Sequence, residues 1–229
     1  MNTKSYEEEN KRLFAEWKCI AVDIPFIKDG VMNADVWFKN KVRPLFLFGE
    51  SFGTDDNLRE GETRKRAWRR IALWTKGIMN TGATYMEPFK PCNNDILDSD
   101  NKYLERIAAV NINKDSGNKK VIFEEICEYA KAGKKLLKRQ IELCDPTVII
   151  CGGTGRALEI ILDNQFRKYY NNNLFYNVNI NGHSVIVIDY WRLSNTYPEV
   201  MNYYCLTEVY QRALRNNLIK NHNVHTAVT

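Results

Sequence analysis

Polar segments that follow four short apolar runs are the feature of this sequence most able to do chemistry. The segments are GESFGTDDN over 49–57, NINKDSG over 111–117, GGTGR over 152–156 and DYWRLSN over 189–195. The first carries three acids, Glu50, Asp55 and Asp56. An acid can orient water, amides can read the edge of a heterocycle, and an aromatic ring can stack on its face. Together these residue types suit chemistry at a nucleobase.

The fold must bring the four segments together. Apolar runs predict strands at 44–48, 107–110, 148–151 and 184–190, and Asn181-Gly182 predicts a hairpin that joins 174–180 to the last of these. Apolar residues at helical spacing predict helices over 6–18, 63–79, 121–143 and 199–220. Alternation of strands and helices predicts an α/β fold, a three-layer α/β/α sandwich around a mostly parallel four-stranded sheet. In such a sheet the segments after the strands meet at one edge, where ligands bind.

Length and composition predict a single domain over residues 1–229, with 1–40 as an N-terminal helical extension and 221–229 as a polar tail. No apolar run approaches the roughly 20 residues of a membrane span, and the N-terminus lacks the apolar core of a signal peptide. The six cysteines contain no C-x-x-C pair. We therefore expect a cytoplasmic monomer with reduced thiols, without metal, cofactor or membrane contact.

The net charge of +5 permits a phosphate-rich partner without requiring one. Much of the basic charge near the first polar segment lies on the predicted helix 63–79, at Arg64, Lys65, Arg66, Arg69 and Arg70. These side chains either form a solvated helix face or follow a nucleic-acid backbone. The sequence leaves both interpretations open.

The order of the segments resembles the uracil-DNA glycosylase superfamily over about residues 40–215. GESFG is similar to its first motif, which in the iron–sulfur branches reads Gly-Glu-x-Pro-Gly with acidic residues a few places on. Glu50 and Asp56 match the acidic positions, and Ser51 falls where other branches carry a catalytic Asp or Asn. AAVNINK resembles the strand whose terminal Asn, here Asn111, reads the pyrimidine edge.

Two further segments extend the resemblance. DPTVIICGGTGRAL is similar to the strand and helix that precede the last strand of the family, and DYWRLSN stands where the family has His-Pro-Ser. Phe52 replaces the proline of the first motif, Arg192-Leu193 replaces His-Pro, and the iron–sulfur cysteine spacing is absent. These departures favour a modified pyrimidine, for example in foreign DNA, over uracil as the substrate.

The resemblance implies a monofunctional DNA glycosylase that hydrolyses the N-glycosidic bond of a flipped-out base and leaves an abasic site. Either Asp56 or Glu50, with Asp55 as a further candidate, orients the water. The expected base contacts are Ser51, Phe52, Asn111 and Arg192, and the expected DNA contacts are Lys114, Arg66, Arg69, Arg70, Ser194 and Asn195. Arg192 and Ser194 are also candidates for contacts with the leaving base.

Two other interpretations stay open. One is a catalytically inactive nucleic-acid-binding module on the same fold. The other is a nucleotide-binding enzyme that uses CGGTGRAL. For the second, Leu158 stands where the third small residue of a dinucleotide fingerprint belongs, and no P-loop is present. Formation of abasic sites distinguishes a glycosylase from a protein that only binds DNA.

Overall fold

The structure, a computed structural model, describes residues 3–20, 28–49, 65–91, 102–114, 122–166 and 174–226; of these, it describes only the backbone of residues 20, 65, 66 and 218–226. In chain order its elements are α1 (Thr3–Ile20), β1 (Gly30–Val31), α2 (Ala34–Trp37), β2 (Pro44–Phe48), α3 (Lys65–Asn80), β3 (Ala108–Asn111), α4 (Phe123–Ala132), α5 (Lys134–Cys144), β4 (Val148–Gly152), α6 (Gly155–Leu162), β5 (Phe175–Ile180), β6 (His183–Tyr190) and α7 (Glu199–Thr226). Helices and strands alternate, so the predicted α/β class is confirmed.

The six strands form one mixed sheet in the order β1-β3-β2-β4-β6-β5. The four inner strands are parallel, and Phe48 of β2 pairs with Asn111 of β3 while Gly152 of β4 pairs with Tyr190 of β6. β1 and β5 add antiparallel edges. The predicted sheet of four mostly parallel strands was therefore wrong. The count took in only the inner strands, although the predicted hairpin adds β5 to the sheet, and β1 was not predicted at all.

Helices cover both faces of the sheet. One apolar cluster joins β-strand side chains to α1, α2, α4, α5 and α6, and the other joins them to α3 and α7. The inner strand β2, PLFLF, is buried along its whole length, as expected of a parallel strand covered on both faces. Leu45 and Leu47 point to the first cluster, whereas Phe46 and Phe48 point to the second.

The N-terminal 40 residues do more than add a helix. α1 packs on α5, and Gly30-Val31 pairs with Ala108-Ala109 of β3 to become an edge of the sheet. Tyr6 of α1 is fully buried, and its hydroxyl accepts a hydrogen bond from the backbone N–H of Val31 at 2.9 Å. This segment is therefore part of the core that supports the end of β3.

Other differences from the sequence prediction are local. The single helix predicted over 121–143 is divided at Gly133 into α4 and α5. α7 continues to Thr226, into the segment predicted as a tail. The hairpin between β5 and β6 is confirmed, with Asn181 and Gly182 at φ 51° and 82°. No helix in the described part of the chain combines the length and the apolar character that crossing a bilayer requires.

Candidate functional site

The carboxyl ends of β2, β3, β4 and β6 lie along one edge of the sheet, hereafter the carboxyl edge. Three of the four polar segments are described there in part or in full. The first segment is described only at Gly49. The expected catalytic acids and two expected base contacts therefore lie outside the described residues, at Glu50, Asp55, Asp56, Ser51 and Phe52.

Asn111 ends β3 at this edge and is fully buried. Neither its side-chain Nδ2 nor its Oδ1 has a hydrogen-bond partner within the described part of the chain. Strand alternation places this side chain on the same face as Ala109 and Phe48, the face covered by α3 and α7. Buried amides are almost always hydrogen-bonded, so a donor and an acceptor left together require a physical reason, which a ligand with the complementary edge would supply.

The backbone around Asn111 is held firmly. Its N–H donates to Asp29 Oδ2 at 2.6 Å, while Ile112 and Asn113 extend the pairing with β2 by donating to the carbonyls of Phe48 and Gly49 at 2.8 and 3.2 Å. This support fixes the position from which the Asn111 side chain leaves the strand.

Lys114 belongs to this support and does not reach the surface. Its ammonium donates to Asp29 Oδ1 and Oδ2 at 2.7 and 2.8 Å and to Gln140 Oε1 at 2.8 Å, and Gln140 Nε2 donates to Asp29 Oδ1 at 2.7 Å. All three side chains are buried. Burial lowers the pKa of the Lys114 ammonium, although the Asp29 carboxylate acts in the opposite direction. The three donor positions of Lys114 are already used, so this arrangement leaves none for the expected DNA phosphate.

Arg192 follows β6 and is exposed, with its aliphatic stem lying over Gly153 at the end of β4. A Cβ at Gly153 would approach Arg192 Cγ to 2.7 Å, and the glycine has φ +76°. The absence of a side chain at Gly153 therefore lets the arginine cross the carboxyl edge. Its guanidinium therefore lies at the carboxyl edge, where it can pair with an anionic group.

The carboxylate of Asp189 lies against the N-terminus of α6. A Cβ built on Gly155 would lie 2.6 Å from the carboxyl atoms of Asp189, so the acid lies directly against the first turn of the helix. Thr154 is turned inward and donates to the carbonyl of Leu47 at 2.8 Å. A phosphate at this helix N-terminus would meet a negative charge, which argues against the nucleotide-binding interpretation of CGGTGRAL.

Arg70 and Asn195 shape the segment after β6. Arg70 is buried, and its Nη1 donates to the carbonyl of Leu193 and to that of Asn195 at 3.1 Å. The side chain of Asn195 bonds the carbonyl of Arg192 at 2.8 Å and accepts from the Tyr197 N–H at 3.1 Å. Both expected DNA contacts therefore have partners within the fold, so they order the loop.

The remaining expected DNA contacts are nearer to solvent. Ser194 is exposed and Arg69 is half-buried, whereas the side chain of Arg66 lies outside the described residues. Trp191 and Tyr197 are also exposed, and their ring centroids are 4.8 Å apart. This pair presents aromatic surface next to Arg192.

Sequence reasoning missed Asp29, Gln140 and Trp68. The first two gave no signal, because Asp29 meets Lys114 only through the fold. Trp68 lies in α3 at i and i+3 spacing from Ile71, so the periodicity of the helix could have indicated its buried position. It is 7% exposed, and no described residue accepts a hydrogen bond from its indole N–H.

The described residues contain no cluster of three His, Cys, Asp or Glu side chains suited to a metal ion. Cys144 and Cys151 are buried thiols. The chain matches no protein-family model, and no curated protein is significantly similar to it.

Proposed function

We propose that this protein is a DNA glycosylase that hydrolyses the N-glycosidic bond of a flipped-out, modified pyrimidine. The observation that carries the proposal is the Asn111 side chain, which is buried at the carboxyl edge with both amide atoms unpartnered among the described residues. A pyrimidine offers a neighbouring donor and acceptor on its Watson–Crick edge, the complement of one amide.

The expected reaction needs the target nucleotide outside the stack, at a cost of roughly a few kcal/mol. Asn111 then holds the base edge while the bond to the sugar breaks through an oxocarbenium-like state. Glu50 or Asp56, with Asp55 as a further candidate, orients the attacking water and offsets the positive charge of the sugar. The leaving base departs as an anion, and Arg192, lying over Gly153, is the proposed donor to that anion or to a neighbouring phosphate.

The surface near Arg192 supports nucleic acid as the partner. Trp191 and Tyr197 are 42% and 48% exposed, and bases next to the flipped one can stack on such rings. Arg69 on α3 adds positive charge close to the Arg70 contact with the 193–195 loop. The +5 charge of the chain agrees with attraction to a phosphate backbone.

The test is a set of DNA duplexes that carry uracil, hydroxymethylcytosine, glucosylated cytosine or a deaminated purine. We expect alkali-labile abasic sites on at least one modified pyrimidine, with loss of cleavage in Glu50→Gln or Asp56→Asn and in Asn111→Leu. Glu124→Gln, an exposed acid in the first turn of α4, is the matched control and should cleave normally.

Binding of the duplexes without abasic sites would identify an inactive nucleic-acid-binding module instead. Full cleavage by Asn111→Leu would remove the amide from the proposed mechanism. Full cleavage by both Glu50→Gln and Asp56→Asn would remove these two carboxylates from the proposed mechanism.

A further inference from the structure

The indole N–H of Trp68 lies in the same structural region as Asn111. Trp68 occupies the first turn of α3 and belongs to the apolar cluster that contains Phe48 and Ala109. Its Nε1 is buried, and no hydrogen-bond acceptor reaches it from the described residues. An unpaired buried donor of this kind destabilises a fold, so a ligand that accepts its hydrogen bond is a physical reason to keep it.

The direction of α3 places Trp68 at the carboxyl edge. Arg70, two residues further along the helix, donates to the carbonyls of Leu193 and Asn195, which follow the end of β6. The helix therefore begins at the carboxyl edge and runs away from it. Trp68 precedes both Arg70 and the residues that pack on the middle of the sheet.

Trp68 and Asn111 both lie beyond the middle of the sheet, on the side of the carboxyl edge. Trp74 packs on Phe46 and, more closely, on Tyr190 at the end of β6, with ring centroids 6.5 and 5.2 Å apart, and Phe46 pairs with Ala109. Trp68 lies six residues before Trp74, which is about 9 Å along a helix, and Asn111 lies two residues beyond Ala109, which is about 7 Å along a strand. Both steps lead towards the carboxyl edge on the same face of the sheet.

Building on the proposed function, we propose that Trp68 is a specificity-determining residue whose indole N–H donates to a carbonyl oxygen of the base that Asn111 holds. The two side chains together offer one acceptor, Asn111 Oδ1, and two donors, Asn111 Nδ2 and Trp68 Nε1. Their complement is an edge with one donor and two acceptors. A pyrimidine has that edge, through O4, N3–H and O2 of uracil or through N4–H, N3 and O2 of cytosine.

The test compares uracil with two analogues that each lack one carbonyl oxygen, pyrimidin-4-one and pyrimidin-2-one, in binding to the wild-type protein, Trp68→Phe and Trp37→Phe. Trp37 is the matched control, because it is fully buried in the other apolar cluster and its Nε1 donates to the carbonyl of Cys144 at 2.8 Å. We expect the wild-type protein to bind uracil about 3- to 10-fold more tightly than each of the two analogues, because each analogue lacks one of the two oxygens that accept from Asn111 Nδ2 and Trp68 Nε1, and this is the range of one hydrogen bond. Trp68→Phe should abolish one of these two preferences and keep the other, and Trp37→Phe should keep both.

Folding gives a second, independent measurement. Trp68→Phe removes an unpaired donor whereas Trp37→Phe breaks a hydrogen bond, so the Trp68 variant should be the more stable of the two. If Trp68→Phe does not fold, the indole N–H resonance of Trp68 in the ¹⁵N-labelled wild-type protein replaces the variant as the measurement. It should shift when uracil binds, while that of Trp37 stays in place.

The outcomes separate this inference from the proposed function. Binding of uracil by the wild-type protein with both preferences unchanged in Trp68→Phe, or with a stationary Trp68 resonance, would overturn the role of Trp68 alone. Absence of binding by all three bases in the wild-type protein would overturn the role of Trp68, which requires an unmodified pyrimidine edge, whereas cleavage of the modified duplexes tests the proposed function separately.

Discussion

Replacement of Asn111 by leucine should leave the free energy of unfolding unchanged or higher, although the residue is fully buried. Leucine keeps the branched shape and removes two polar atoms that no described residue satisfies. Each such atom costs about 1–3 kcal/mol when buried, and the slightly larger leucine costs about 1–3 kcal/mol in tighter packing. For the two atoms together the gain is about 2–6 kcal/mol against a packing loss of about 1–3 kcal/mol, so we expect a net change in favour of the variant.

Asn202 is the matched control, since it is also fully buried and its Nδ2 has partners, although its Oδ1 has none among the described residues. Its Nδ2 donates to Asn195 Oδ1 at 2.9 Å, to the Tyr197 carbonyl at 3.0 Å and to the Pro198 carbonyl at 3.3 Å. Asn202→Leu breaks these bonds and leaves the acceptors unpaired, which should cost about 2–4 kcal/mol. The two variants should therefore differ by at least about 2 kcal/mol.

Chemical and thermal denaturation measure this difference. For a chain of this length, 2 kcal/mol corresponds to roughly 4–8 °C in Tm. We expect Asn111→Leu to melt at or above the wild-type temperature and Asn202→Leu to melt below it. A loss in Asn111→Leu as large as that in Asn202→Leu would show that the Asn111 amide serves the fold, and the argument for a ligand at this position would fail.

Three further perturbations examine the surroundings of the site. Gly155→Ala should lower the free energy of unfolding by about 1–3 kcal/mol, because its Cβ would lie 2.6 Å from the Asp189 carboxyl atoms. Adding Asp189→Ala to this variant should recover part of the loss in thermal denaturation, and strictly additive effects of the two substitutions would contradict this contact. Arg70→Ala should cost about 1.5–3 kcal/mol in urea denaturation through its bonds to loop carbonyls, whereas Arg69→Ala should change stability little; equal losses would refute the assignment. The free energy of unfolding should fall as the pH rises from 9 towards 12, because burial raises the pKa of the Cys144 thiol from 9.0 to about 12 and only the unfolded chain releases that proton. Cys144→Ala should make the free energy of unfolding depend less on pH over this range, and an unchanged dependence would exclude this cause.

The parts of the fold that follow from local pattern were predictable. The run at 44–48 is apolar at every position, because both faces of a parallel inner strand are covered, and the structure has β2 at those residues. Asn181 and Gly182 tolerate positive φ, so the hairpin could be placed to the residue. The inner strands are parallel, so their carboxyl ends lie at one edge of the sheet, and this located Asn111.

The parts that depend on distant contacts were not predictable. Gly30-Val31 is too short to read as a strand, and it becomes one only because the exposed edge of β3 is available for pairing. Lys114 lies in a polar segment whose sequence is typical of a solvated loop, yet its ammonium is buried against Asp29, 85 positions away in the sequence. Arg70 was expected on a solvated helix face or against DNA, but it is buried and its Nη1 donates to carbonyls of the loop after β6. Local sequence patterns carry no information about partners that are distant in the sequence.

Unpaired buried atoms alone do not identify a site, because Asn10 Oδ1, Asn40 Nδ2 and Asn202 Oδ1 also lack partners among the described residues. Asn10 lies on α1, Asn40 lies ahead of β2, at the amino end of the sheet, and Asn202 lies on α7 with its Nδ2 fully bonded. The topology supplies the second criterion, since ligands of parallel sheets bind at the carboxyl ends of the strands. Asn111 and Trp68 satisfy both criteria and lie on the same face of the sheet. Because the burial of their polar atoms and the direction of the strands have separate physical causes, their agreement at this edge is the strongest reason to expect the base there.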